Sequence, residues 1–215
     1  MIHIRFLTHP DDIYAQSFQR IGHHIDLSRW PAEEAQVILR VVHATADFEY
    51  ADTLVFHPGA VAVAVESLRH GAPLVVDARM VEAGFSRGRL QRLGLCTWCG
   101  IEQPEVSVRA QRENLTRSMV GIEWAMERAG QGAVVVIGNA PTALFHVVDM
   151  IRAHRWTPSV VLGFPVGLIG ALESKQELLE QRQVPAMSHV GTKGGSAVAA
   201  AAVNALLRMA LGEAQ

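Results

Sequence analysis

The sequence predicts an α/β protein, a three-layer α/β/α arrangement around a mostly parallel sheet, folded as a single domain over residues 1–215. Three observations carry this expectation. Residues 133–148 (AVVVIGNAPTALFHVV) form a continuous apolar run that breaks at GNAPT and resumes as an apolar, helix-like segment. Such a run, bounded by turn residues, reads as a strand buried on both faces. The same order recurs at residues 159–170, where SVVLGFPVG breaks into a Gly/Pro loop. It recurs again at 184–196, where VPAMSHVGTKGGS opens a long helix. Three strand–loop–helix units in series make a parallel sheet whose loops emerge at its C-terminal edge. That edge is the expected floor of a binding site.

The loops supply candidate contacts. Pro141 has a fixed φ and no N–H, so it suits a first helical turn, with Asn139 or Ala140 near the N-cap. Gly138 permits a sharp turn or close approach to a ligand. The free N–H groups at this helix start are expected to face outward as an anion site. Asn139, Thr142, Gly163, Lys193, Gly194, Gly195 and Ser196 are the candidate substrate-binding positions on these loops.

The remaining elements follow in order. Pro10, Asp11 or Asp12 starts a first helix through Ile13, Ser17, Phe18 and Ile21, with Ser17 read as a polar residue facing solvent. A second helix begins at Pro31, with Glu33 and Glu34 in its first turn where the helix dipole favours them. On it Arg40, His43 and Asp47 stand at i, i+3 and i+7, one face. They form a candidate site, weighed against a merely structural or solvated histidine. Residues 53–56 read as a strand, HPG at 57–59 as its turn, and 60–70 as a helix stopped by Gly71. Residues 73–76 read as the next strand. Asp77 and Arg79 lie at its end, either as edge charges or as a local ion pair. A weaker strand is expected at 93–97. A long helix spans 109–129, broken near Asn114–Leu115–Thr116, with Thr116 or Asn114 capping its second part. Arg117 then sits in a first turn, opposing the dipole, which makes it a ligand candidate or a solvent-facing cation. The helix at 197–211 is apolar nearly all round, which implies burial in the core or against a second subunit.

Bulk properties narrow the function. The chain has 215 residues, 49% of them hydrophobic, and a net charge of −2. That length buries a sizeable core, and the charge balance argues against a nucleic-acid surface. No apolar stretch is long enough to span a bilayer and residues 1–5 lack a secretory pattern, so the expected location is cytoplasmic. Cys96 and Cys99 form a lone CxxC. With no second ligand pair, and with Gly100 and Pro104 following, incidental thiols are preferred over a zinc or redox site. No metal or cofactor is expected. The GxGxxG, Walker and GxSxG patterns are missing. What remains is a set of Gly-rich loops and helix starts with Arg40, His43, Arg79, Arg117 and Lys193. This suits a large ligand bearing several carboxylates, with proton transfer by His43 as the chemistry.

Several blocks carry a resemblance: RVVHATAD at 40–47, DARMVEAG at 77–84, TRS at 116–118, IGNAPTALF at 137–145, GFPVG at 163–167 with ESK at 173–175, and GTKGGS at 191–196. Together they resemble the precorrin-8X methylmutase family of cobalamin biosynthesis, which includes the cobalt-precorrin-8 methylmutases. The resemblance implies an α/β/α fold and a homodimer with its site near the subunit interface. It also implies a cofactor-free shift of a methyl group from C11 to C12 of a corrin-type ring, giving hydrogenobyrinate or its cobalt analogue cobyrinate. The family's active-site histidine matches His43, and its substrate contacts match Ser17 and Arg40. The mechanism it suggests has His43, held protonated by nearby carboxylates, donating a proton or strong hydrogen bond to a ring nitrogen. Residues 95–105 and 47–50 diverge more than the blocks around them. The competing readings are a non-catalytic corrinoid carrier, a redox protein using the two cysteines, and a flavodoxin-like nucleotide binder.

Overall fold

The computed structural model describes residues 8–213. Two helices come first, α1 (Pro10–His24) and α2 (Ala32–Thr45), then the single turn α3 (Tyr50–Thr53). Strands and helices then alternate: β1 (Leu54–Phe56), α4 (Ala60–Arg69), β2 (Leu74–Val76), α5 (Arg79–Ala83), α6 (Arg87–Arg92), β3 (Thr97–Cys99), α7 (Pro104–Glu113) and α8 (Arg117–Ala129). The three units read from the sequence complete the chain as β4 (Val134–Ile137), α9 (Pro141–Arg152), β5 (Val160–Gly163), α10 (Ala171–Glu180), β6 (Ala186–His189) and α11 (Ser196–Ala210). Residues 1–5, on which the secretory expectation rests, lie outside the described range.

The sheet runs β1-β6-β5-β4-β2-β3. Its pairings are parallel except the edge pair β1–β6. Period-2 alternation assigns each strand residue to a layer. Val134 and Val136 of β4 point to one face, with Val76, Leu162 and Met187, under α2, α4 and α11. Val135 and Ile137 point to the other, with Val75, Val161 and Ala186, under α8, α9 and α10. β4 is buried along its whole length, which explains its unbroken β-branched composition. The largely apolar α11 is buried within the chain itself, between α2, α4 and the sheet.

Three boundaries differ from expectation for local reasons. Gly94 adopts φ +65°, closing the turn after α6, so β3 starts at Thr97 rather than at 93. The expected break in the long helix is real: Asn114 turns left-handed (φ 54°) to end α7, and the Thr116 hydroxyl accepts the Met119 N–H at 3.2 Å to cap α8. The first of these helices begins earlier than 109, with Pro104 in its first turn. Finally, α2 ends at Thr45 because Ala46 is left-handed at φ 54°.

Candidate active site

Loops leaving β2, β4, β5 and β6 gather at the C-terminal edge of the sheet, and the end of α2 and the start of α8 reach the same edge. His43 occupies the last turn of α2, half-buried. Its ring lies 5.2 Å from that of Tyr14 and 5.4 Å from that of Phe18, both on α1. Arg40, one turn earlier, holds its guanidinium 5.7 Å from the Tyr14 ring centre. The Arg40 Nε is buried and has no hydrogen-bond partner. Burial lowers the His43 pKa from its ordinary value, and the neighbouring Arg40 charge lowers it further. Ser17 lies on α1, beside Phe18, with its hydroxyl donating to the Ile13 carbonyl at 2.7 Å.

The expectation that carboxylates hold His43 protonated is corrected here. The left-handed turn at Ala46 carries Asp47 off the face shared by Arg40 and His43. Asp47 instead accepts a hydrogen bond from the Lys193 ammonium at 2.6 Å, as does Glu49 at 2.6 Å. These two carboxylates raise the Lys193 pKa, and the Lys193 hydrogen bond lowers that of Asp47.

The loop after β6 is fastened from several sides. The Gly195 N–H donates to the Phe164 carbonyl at 2.8 Å, and the Gly167 N–H donates to the Thr192 carbonyl at 3.2 Å. At Gly194 (φ +146°) a Cβ would stand 2.5 Å from the Phe164 oxygen and 2.6 Å from the Pro165 oxygen, so the two loops lie backbone against backbone. Beneath them Lys175 and His189 are each 1% exposed. The Lys175 ammonium donates to the Lys193 carbonyl at 2.6 Å and lies 3.3 Å from His189 Nε2. Burial lowers the Lys175 pKa to about 8. The ESK block at 173–175 contains Lys175 but does not by itself assign it a role. The signal was its spacing: Ala171, Lys175 and Leu178 fall on one helical face, so a cation replaces an apolar residue in the buried stripe.

The start of α9 is also corrected. Asp77, 2% exposed at the end of β2, accepts the N–H groups of Gly138 (2.9 Å), Asn139 (2.9 Å) and Ala140 (2.7 Å). The anion site expected there is therefore filled by the chain's own carboxylate. Burial pushes the Asp77 carboxyl up, while the three amides pull it down. No Asp77–Arg79 pair forms. Arg79 is exposed and bonds Glu82 at 2.7 Å and Glu102 at 3.1 Å. Asn139 is exposed, the Thr142 hydroxyl meets that of Thr116 at 3.0 Å, and Arg117 is exposed at the start of α8. Gly163 is buried in β5, where any Cβ would overlap Leu178. Its carbonyl accepts from Ser188 Oγ at 2.5 Å, so it serves packing and presents no surface.

The predicted residues thus fall into groups along one edge. His43, Arg40 and Ser17 gather with Tyr14 and Phe18, and the Asp47–Lys193 bond joins this group to the 193–196 loop. Arg79 lies off the end of β2, three strands from β6, about 14 Å at the usual strand spacing. Large apolar side chains stand exposed between and around the groups: Met80, Val166, Leu168, Ile169 and Val190. An edge with aromatic and aliphatic surface, dispersed cations and one half-buried imidazole matches a broad, flat, polyanionic ligand. Cys96 is exposed, Cys99 is buried, and both are free thiols.

Residues 12–209 match the family model described as CbiC: Precorrin-8X methylmutase. The chain belongs to the precorrin-8X methylmutase family. A precorrin-8X methylmutase of Pseudomonas aeruginosa is 42% identical over 204 residues, 94% of this chain and 97% of that protein. A cobalt-precorrin-8 methylmutase of Salmonella typhimurium is 39% identical over 210 residues, 95% and 97% of the two chains. Among solved structures, a precorrin-8x methyl mutase from Thermus thermophilus superposes with a TM-score of 0.85 at 37% identity, covering 93% of this chain and 96% of that one. These relatives are named as methylmutases, isomerases of the intramolecular transferase kind. The reading as a non-catalytic carrier finds no support among them.

Proposed function

We propose that this chain moves a methyl group from C11 to C12 of precorrin-8X or of cobalt-precorrin-8, giving hydrogenobyrinate or cobyrinate. Family membership over residues 12–209 supports the reaction, and the pairing of Arg40 with a half-buried His43 supports the mechanism. The macrocycle lies along the C-terminal edge against Tyr14, Phe18 and the exposed aliphatic side chains. One acidic arm reaches Arg40, whose buried, unpartnered Nε is a donor awaiting an acceptor. A carboxylate there offsets the Arg40 charge and so raises the His43 pKa. The substrate thereby brings the negative charge that Asp47, bound to Lys193, does not provide.

His43 then donates a proton or strong hydrogen bond to a ring nitrogen. Electron density is drawn from the macrocycle as the methyl group migrates, which lowers the barrier. The shift is internal: one C–C bond breaks, another forms, and any proton lent to the ring nitrogen returns to His43, so the net change is confined to the substrate. The remaining arms meet Ser17, Asn139, Thr142, Ser196 and the backbone of Gly194 and Gly195, with Arg79 and Arg117 as outer cations and Lys193 holding the loop through Asp47 and Glu49. The protein acts as a homodimer in the cytoplasm, with Leu168 and Ile169 (89% and 88% exposed) covered by ligand or partner subunit. Among the described residues no helix is long and apolar enough to cross a membrane.

The test is incubation of the purified protein with precorrin-8X and, separately, with cobalt-precorrin-8, followed by absorbance. Conversion of at least one to the corrin spectrum is expected. No change with either would overturn the proposal.

A further inference from the structure

We infer that Lys175, a buried cation under the 191–195 loop, is a positioning residue that gives this loop its hold on an acidic arm of the substrate. The inference rests on the methylmutase reading above and adds a residue to it.

Three observations lead there. First, Lys193 cannot supply free positive charge to the loop, because its ammonium is shared between Asp47 and Glu49 at 2.6 Å each. The exposed side-chain charge at that point sums to negative, which would repel an incoming carboxylate. Second, Lys175 is 1% exposed and its hydrogen-bonding neighbours are the Lys193 carbonyl and His189 Nε2, both neutral dipoles. The His189 ring is itself turned toward carbonyl oxygens: Nδ1 lies 2.6 Å from the Val190 oxygen, and Nε2 meets the Lys193 oxygen. Among the described residues no carboxylate bonds this ammonium, and burial away from water makes its field reach further than that of a surface lysine. Third, the field points at open donors. Gly195 caps α11 without a side-chain hydrogen bond, so the first N–H groups of that helix face the same edge, with their dipole adding to the Lys175 charge.

The contact also fixes geometry. In a trans peptide the C=O and the following N–H point in opposite directions. Drawing the Lys193 carbonyl inward onto Lys175 therefore turns the Gly194 N–H the other way, toward the Tyr50 hydroxyl. The peptide plane at 193–194 is set from both sides, and α11 starts from a fixed point two residues later. A buried charge without a counter-charge costs stability. Lys175 carries that cost on the buried stripe it shares with Ala171 and Leu178, directly under the loop, which points to a role in holding the ligand.

The experiment compares wild type with Lys175→Met, Lys175→Gln and Lys175→Arg in turnover of whichever precorrin the wild type converts. Lys175→Met should raise KM by about tenfold with kcat nearly unchanged. Lys175→Gln, which keeps a donor and loses the charge, should behave like methionine. Lys175→Arg should recover part of the loss. If methionine prevents folding, the glutamine and arginine variants decide between themselves. Unchanged KM in the neutral variants overturns the inference, as does an equal loss in all three variants, which would mark shape rather than charge. Failure of the wild type to convert either precorrin would be a different failure, removing the reaction and this role with it.

Discussion

Lys193 and Asp47 are joined by a 2.6 Å hydrogen bond that ties the loop after β6 to the turn leaving α2, two residues beyond the end of the helix that carries His43. The sequence placed both residues in the site, in separate roles. The structure makes them partners. This bond holds the Asp47 pKa below the ordinary carboxylate value, with the Lys193 contact as the largest cause. A lowered folded-state value means that the tie is complete at and above the ordinary carboxylate range. It is lost as pH falls through the lowered value. Amide exchange in the 191–195 loop, corrected for intrinsic rates, should therefore accelerate below about pH 4. Asp47→Asn should show the same acceleration at neutral pH. Equal protection in the variant and the wild type would refute the tie.

His43 gives a prediction of opposite sign. Burial and the Arg40 charge both lower its pKa, so in the free protein the imidazole is mostly neutral at pH 7. Arg40→Met removes the like charge and should move the His43 pKa upward, measured by NMR titration of the ring. In the wild type, the pH profile of kcat should fall at higher pH than that of kcat/KM, because the bound substrate offsets Arg40. Coincident profiles would count against a substrate carboxylate at Arg40.

Asp77 is the acceptor for three amides at the start of α9 and is 2% exposed. Asp77→Ala leaves those donors buried and unpaired, at a cost of about 3 kcal/mol in unfolding free energy measured by urea denaturation. Asp77→Asn keeps one oxygen acceptor and should lose less. A neutral outcome for Asp77→Ala would mean that water replaces the carboxylate, and the start of α9 would then be open to an external anion after all.

The cysteines should prove dispensable. Cys96 is exposed, Cys99 is buried beside the apolar layer, and neither touches His43 or Arg40 in the structure. The double variant Cys96→Ser/Cys99→Ser should turn over at close to the wild-type rate, with a modest fall in stability from the buried position. Loss of turnover with the fold intact would revive a redox reading.

What was legible in the sequence was local. The β4 run with its Gly138–Pro141 punctuation, the break at Asn114 and the Thr116 cap are fixed by neighbouring residues, and each is where it was expected. The histidine and its arginine were legible too, since a spacing of three on a helix determines a shared face. What escaped depends on contacts between distant segments or on one unusual dihedral. Nothing near residue 138 signals that Asp77 fills the α9 N-terminus. An alanine in the left-handed region is uncommon, and Ala46 alone removes Asp47 from the face of His43. The buried face of α10 could be read from spacing, but the carbonyl that receives Lys175 could not.

The most direct test is single-turnover mixing of precorrin-8X with His43→Ala, watched by absorbance beside the wild type. The expected result is retained pigment binding with conversion slowed by about 10²- to 10³-fold, the usual cost of removing one transition-state donor. Conversion at the wild-type rate would contradict the role of His43.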